Sequence, residues 1–291
     1  MKGKFEYCSP LTQLVLLAII VLCCGLLSMF FSAIICMYTT QHISQGNNLR
    51  LMLFIQNSIL FIGSPLIAQH YLWKTNLQTT FQLYKPSVYT LMIGCITILG
   101  AGPLIDLLTT WNQGIHLPTA LRQLEQWMIE YEKDAEILTK QLLQVNSWGE
   151  VITTLIVTAL LAGIGEELLF RGILQKLFIQ WTKNIHIGIF IAAFIFSAIH
   201  MQFFGFIPRL VLGVILGYLY IGSRNLWVPI VAHSLNNAWV VLFTPNALTQ
   251  DSAIINAISQ AENNEWMVIG SIVIITCCLW GLWKDYCSFS N

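Results

Sequence analysis

Apolar residues along this chain gather into eight blocks of roughly membrane length, separated by short polar breaks. The blocks run over 14–38, 51–70, 88–110, 151–170, 187–204, 209–223, 227–243 and 267–283. A helix needs about 20 apolar residues to cross hydrocarbon, so each block predicts a membrane span. The first block follows Lys2 and Lys4. It exceeds the apolar core of a signal peptide, roughly 7–15 residues, and so predicts an uncleaved anchor. The stretch 119–147 breaks the pattern with eight charges, while Leu121, Leu124, Met128, Tyr131, Ile137 and Leu142 recur at helical spacing. That pattern predicts an amphipathic helix outside the bilayer, chiefly a connector. With no internal repeat and no second domain, residues 1–291 form one multi-pass domain. The expected fold is all-α, an eight-helix transmembrane bundle.

Composition agrees. Hydrophobic residues make up 56% of the 291 and charged residues only 10%, where a soluble domain carries about 25% charged residues. An ordinary soluble enzyme, a disordered chain and a nucleic-acid binder are thereby excluded. Lys plus Arg balance Asp plus Glu at 14 each, so no polyanionic partner is implied. Most of the eight cysteines lie inside apolar blocks, where cysteine behaves as a small hydrophobe. No CxxC or HExxH occurs. With eight spans and the N-terminus inside, nine of the 14 basic residues fall on the inner side. The positive-inside rule then puts both termini in the cytoplasm.

Charges within apolar spans need a reason to be there. The fourth span ends Ala162-Gly163-Ile164-Gly165-Glu166-Glu167, followed by Arg171 and Gly172, after fifteen uncharged residues. Glu167 and Arg171 are four apart and predict an ion pair along the helix. Glu166 lies about 100° round the helix and is left over for chemistry. Taken alone, the pair reads equally well as a solvated helix end in the headgroup region. The fifth span ends in His200, which alone reads first as a packing residue. The seventh supplies His233 and Asn237 on one helix face, which alone read first as an interhelical hydrogen-bonded pair.

Depth links the three. Glu166 lies about 22 Å along its span from residue 151, roughly 8 Å from the inner face of a ~30 Å core. His233 lies about 9 Å in from the same side. His200 reaches that level if the fourth helix continues through Lys183 and turns at 184–186, making a hairpin.

The order Glu-Glu-x-x-x-Arg (Glu166, Glu167, Arg171), Phe-x-x-x-His (Phe196, His200) and His-x-x-x-Asn (His233, Asn237) resembles the CPBP family. That family joins the type II CAAX prenyl endopeptidases with bacteriocin-processing and immunity-type membrane proteins of bacteria. The resemblance covers about 151–243, the expected catalytic core. It implies an intramembrane protease with a catalytic cavity open to the cytoplasm. In it Glu166 with His200 would activate water, His233 and Asn237 would bind the oxyanion, and Glu167 with Arg171 would support Glu166. A carboxylate in an apolar site suits general-base work near neutrality. Glu166, His200 and His233 also form a candidate zinc set. Adjacent helix residues diverge too far to chelate one ion together, which favours a glutamate mechanism without a cofactor. The implied partners are a peptide or a prenylated, lipid-associated protein, together with membrane lipid, and no nucleic acid. The expected location is a bacterial cytoplasmic membrane. Two alternatives stay open: a catalytically silent scaffold or bacteriocin-immunity factor, and a proton-coupled transporter built on the same charged residues.

Overall fold

The computed structural model describes residues 3–39, 45–243 and 265–288. These residues form helices and their connections, with no strand among them. In chain order the helices are α1 Pro10–Thr39, α2 Gln45–Leu72, α3 Leu77–Phe81, α4 Val88–Gln113 and α5 Arg122–Leu143. They continue as α6 Trp148–Thr182, α7 Ile185–Ala198, α8 Phe203–Ser223, α9 Trp227–Phe243 and α10 Glu265–Ser288.

Six of these, α1, α2, α4, α6, α8 and α10, are long and apolar enough to cross a membrane. The expected fifth and seventh spans are also apolar helices, but α7 has 14 residues and α9 has 17. At 1.5 Å per residue they reach about 21 and 26 Å, short of a ~30 Å core. α7 stops early because the chain turns at Ile199–His200 and enters a left-handed conformation at Met201 (φ 55°). The described part of α9 stops at Phe243. Large apolar side chains stand exposed along α1 (Leu22, Leu26, Met29) and α10 (Ile269, Val273, Trp280). Patches of this size suit lipid rather than water. The described residues are all-helical, and the chain is an integral membrane protein.

α6 is the most buried of the six long helices and runs 35 residues. It continues past the expected end of its span to Thr182, and Lys183 breaks it in a left-handed conformation. Asn184 then caps α7, its Oδ1 accepting from the Ile187 amide at 3.1 Å. The hairpin anticipated from the depth of His200 is therefore present.

Two glycines let α6 sit deep between its neighbours. A Cβ on Gly163 would lie 2.3 Å from Ser234 Oγ of α9, and one on Gly165 would lie 2.7 Å from Phe61 Cβ of α2. Only glycine tolerates such approaches. They press the turn carrying Glu166 and Glu167 against both helices.

That turn, Ala162–Leu169, is ordinary α-helix between two π-helical stretches, Leu155–Leu161 and Phe170–Leu174. A π stretch leaves backbone carbonyls short of helical donors, and in hydrocarbon each must be satisfied by other groups. Asn57 of α2 donates to the Val157 carbonyl at 2.8 Å, and Asn237 of α9 donates to that of Thr158 at 3.0 Å.

α5 is the amphipathic helix expected within 119–147. It has no buried residue and is held at its two ends. Arg50 of α2 donates to the Leu142 and Gln144 carbonyls at 3.2 Å each and to Thr154 Oγ1 of α6 at 2.7 Å. Near the other end, Trp127 packs against Phe203 at the start of α8, with ring centroids 5.5 Å apart.

Candidate functional site

The six residues singled out in the sequence lie on α6, the end of α7, and α9. Glu167 is fully buried, and one of its oxygens holds two partners. Oε1 accepts from Arg171 Nη1 at 2.7 Å and from His233 Nδ1 at 2.8 Å. The i,i+4 pair expected between Glu167 and Arg171 is therefore present, and it is buried. Arg171 also donates through Nη2 to the Gly213 carbonyl of α8 at 3.1 Å, and its guanidinium stacks over Phe196 at 4.8 Å. Such stacking is worth more where water is absent. One residue thus ties α6, α7 and α8 together.

The expected support of Glu166 by Glu167 takes a different form. Glu167 accepts a hydrogen bond from His233, because successive helix residues diverge by about 100° and the close Gly163–Ser234 contact brings α9 to the Glu167 side. Glu166 Oε2 is buried without a hydrogen bond. It faces His233 Nε2 at 3.8 Å, so the His233 ring lies between the two carboxylates.

His200 Nδ1 lies 2.7 Å from the Phe196 carbonyl. A carbonyl only accepts, so Nδ1 carries the proton, and neutral His200 presents Nε2 as an acceptor. Phe196 packs between the two histidines, its ring centroid 5.1 Å from that of His200 and 5.8 Å from that of His233. The spacing of Phe196 and His200 thus serves both packing and tautomer choice. Asn237 uses one amide hydrogen on the Thr158 carbonyl, and its second hydrogen is available to a ligand.

Glu166, His200, His233 and Asn237 all line one pocket of about 1030 Å³. Its walls are completed by α4, α8 and α10, with Asp106, Arg209, Trp239 and Ser271 among the lining residues. Glu167 and Arg171 lie behind this wall. Arg209 was counted in the sequence only as one basic residue among 14. It is the first residue of the sixth apolar block, where a charge reads as a span end, and only the start of α8 at Phe203 places it inside the span. Trp239 of α9 also lies in the pocket wall.

Fold and site together define a polytopic membrane protein with a buried carboxylate–histidine cluster facing a pocket. Residues 148–239 match the family model described as type II CAAX prenyl endopeptidase Rce1-like. The matched stretch contains all three motifs, and the resemblance read from them is to the same family. Among curated proteins, the chain is 31% identical over 117 residues to "Uncharacterized protein YpbD" of Bacillus subtilis, covering 39% of this chain and 55% of that protein. It is 26% identical over 120 residues to "Putative membrane peptidase YdiL" of the same organism, covering 41% of this chain and 46% of that protein. The chain thus spans about half the length of the curated relatives it matches. No solved structure matches the chain.

Proposed function

We propose that the protein is an intramembrane endopeptidase of the CAAX-protease type, in which all eight apolar helices lie in the membrane and the pocket admits a peptide. The observation that carries this reading is the unequal fate of two adjacent glutamates. Glu167 Oε1 is held by both Arg171 and His233 and the residue lies behind the pocket wall, while Glu166, which has no such pair of partners, lines the pocket; each keeps a buried Oε2 without a hydrogen bond.

Glu166 and His200 Nε2 are the acceptors that would take a proton from water as it attacks the scissile carbonyl. Peptide hydrolysis then needs donors for the oxygen that becomes negative. The second amide hydrogen of Asn237 is one. His233 Nε2 is the other when the ring carries both protons, and the flanking carboxylates of Glu166 and Glu167 supply its counter-charge. Donors aimed at a developing oxyanion act most strongly where water is scarce. Glu166, protonated by that step, would give the proton to the leaving amine nitrogen as the C–N bond breaks, which returns the carboxylate and closes the cycle. Glu167 is in this scheme a positioning residue, acting through His233.

Zinc is the mechanistic alternative for Glu166, His200 and His233. Among the described residues no three His, Cys, Asp or Glu side chains gather closely enough to hold an ion, so no step is routed through a metal. The substrate reading is a peptide, free or on a lipid-associated protein, reaching the pocket from the cytoplasm or the bilayer. The membrane is read as a bacterial cytoplasmic membrane with both termini inside.

Peptide cleavage by purified protein, wild type beside Glu166→Gln, with and without a zinc chelator, tests the proposal. Glutamine keeps the shape and removes the base. Loss of at least about 10²-fold in the variant, with wild-type turnover retained under chelator, is the expected result. Loss under chelator would instead revive zinc. Full turnover by Glu166→Gln would remove the mechanism.

A further inference from the structure

Arg209 is a cation inside a candidate membrane span, and the Glu166–His200–His233–Asn237 cluster does not use it. It lines the same pocket. Its Nη2 donates to Gln202 Oε1 at 2.5 Å, while Nη1 is buried and makes no hydrogen bond. Gly205 makes room for the guanidinium, since a Cβ there would lie 3.3 Å from Nη2. The carboxylates within electrostatic reach are Glu132 and Glu166. Glu132 accepts from the Phe204 amide at 3.4 Å, and Glu166 is the proposed base. Neither forms an ion pair with Arg209 of the kind that closes Glu167 against Arg171.

A guanidinium at membrane depth with an unused buried donor marks a ligand site by default. Its planar, fixed donors match a carboxylate. Arg209 and Glu166 line the same pocket, and Glu166 is within electrostatic reach of the guanidinium, so a carboxylate bound at Arg209 lies near a bond placed at Glu166.

We infer that Arg209 is the anion-binding specificity residue of the pocket and holds a carboxylate of the peptide substrate, from its C-terminus or from an acidic side chain close to the cut. The inference rests on the peptidase reading, and the experiment separates the two. Wild type, Arg209→Gln and Arg209→Lys are offered three matched libraries of apolar decapeptides. The first ends as the free acid, the second as the C-terminal amide, and the third as the amide with one Glu at varied positions. Cleavage is read by mass spectrometry, and binding by the shift each library causes in the melting temperature of the same proteins.

Wild type should prefer a carboxylate-bearing library over the plain amide by about 10- to 100-fold, the worth of a charge-assisted hydrogen bond. That ratio should collapse towards one in Arg209→Gln and survive in part in Arg209→Lys. Preference for the free acid assigns the C-terminus, and preference for the Glu library assigns a side chain. Equal cleavage of all three libraries by wild type overturns the inference. So does a ratio unchanged in both variants, or a uniform loss of rate at constant ratio, which would mean that Arg209 acts only on the field at Glu166. If wild type cuts none of them, the peptidase reading fails and the melting shift decides alone. Stabilisation of wild type by a carboxylate library, absent in the variants, sustains the anion site, and equal shifts from all three libraries remove it. Arg209→Lys keeps the test open if the glutamine variant does not fold.

Discussion

Glu166 and Glu167 share a peptide bond and little else. Glu167 Oε1 accepts short hydrogen bonds from Arg171 and His233, and Arg171 supplies its opposite charge. Removing one partner of a buried pair leaves an uncompensated ion, at a cost of about 3–5 kcal/mol. Arg171→Ala should therefore lower the melting temperature sharply, and the double change Arg171→Ala with Glu167→Ala should recover part of the loss. An Arg171→Ala protein melting like wild type would show that the pair holds nothing together. The Glu166→Gln change belongs to the other class. It replaces a group without a hydrogen bond on the tested oxygen, so it should cost turnover and leave melting nearly unchanged. These two behaviours at neighbouring positions follow from burial and partner count, and differential scanning fluorimetry of the two variants side by side checks them.

At the scale of elements, the site depends on how closely helices approach. Gly163 against Ser234 sets the separation of α6 and α9, and that separation lets His233 reach Glu167. A branched side chain at 163 would meet the Ser234 backbone as well as its hydroxyl. Gly163→Val should cost about 1–3 kcal/mol through overpacking, measured by thermal unfolding in detergent, and should lower turnover more than its stability loss accounts for. Gly163→Ala is the milder control, and wild-type turnover in Gly163→Val would sever packing from catalysis. Much at this scale could be read from the chain. The eight apolar blocks all fall on helices, the helix in 119–147 is present, and the pair Glu167–Arg171 follows from i,i+4 spacing. The contact between Glu167 and His233 could not be read, since it joins residues 66 apart through a close approach that the bare pattern Gly-Ile-Gly does not aim. The π stretches were invisible for a similar reason. Freed carbonyls of Leu155–Leu161 are satisfied by Asn57 and Asn237, and neither asparagine names its target. Span lengths went astray at α7 because apolarity runs on to Phe204 while the helix stops at Ala198. Hydropathy does not register the turn that places His200.

At the scale of the molecule, the three motif segments assemble on α6, α7 and α9, and the remaining long helices supply walls and lipid-facing surface. The turn at Lys183 and the loop 114–118 should lie on opposite sides of the membrane, because α5 stays outside the bilayer and α6 crosses it once before Lys183. Reporter fusions should give a cytoplasmic signal at Lys183 and an external one in 114–118. Reversed signals would overturn the orientation and with it the direction from which substrate enters.

The position of Arg171 one turn after Glu167 also bears on how the chain is made. Their pairing needs no other helix, so it forms as soon as that turn leaves the ribosome. α6 can then partition into lipid with one of its two carboxylates already neutralised, at a cost well below that of two bare charges. Arg171's anchor on α8 and His233 on α9 are synthesised some 40 and 60 residues later. Glu166 receives its histidine neighbour last. Glu166 is thus synthesised and inserted before the histidine that flanks it, and on the proposed peptidase reading a ribosome-bound fragment ending before α9 should be inserted yet hydrolytically silent.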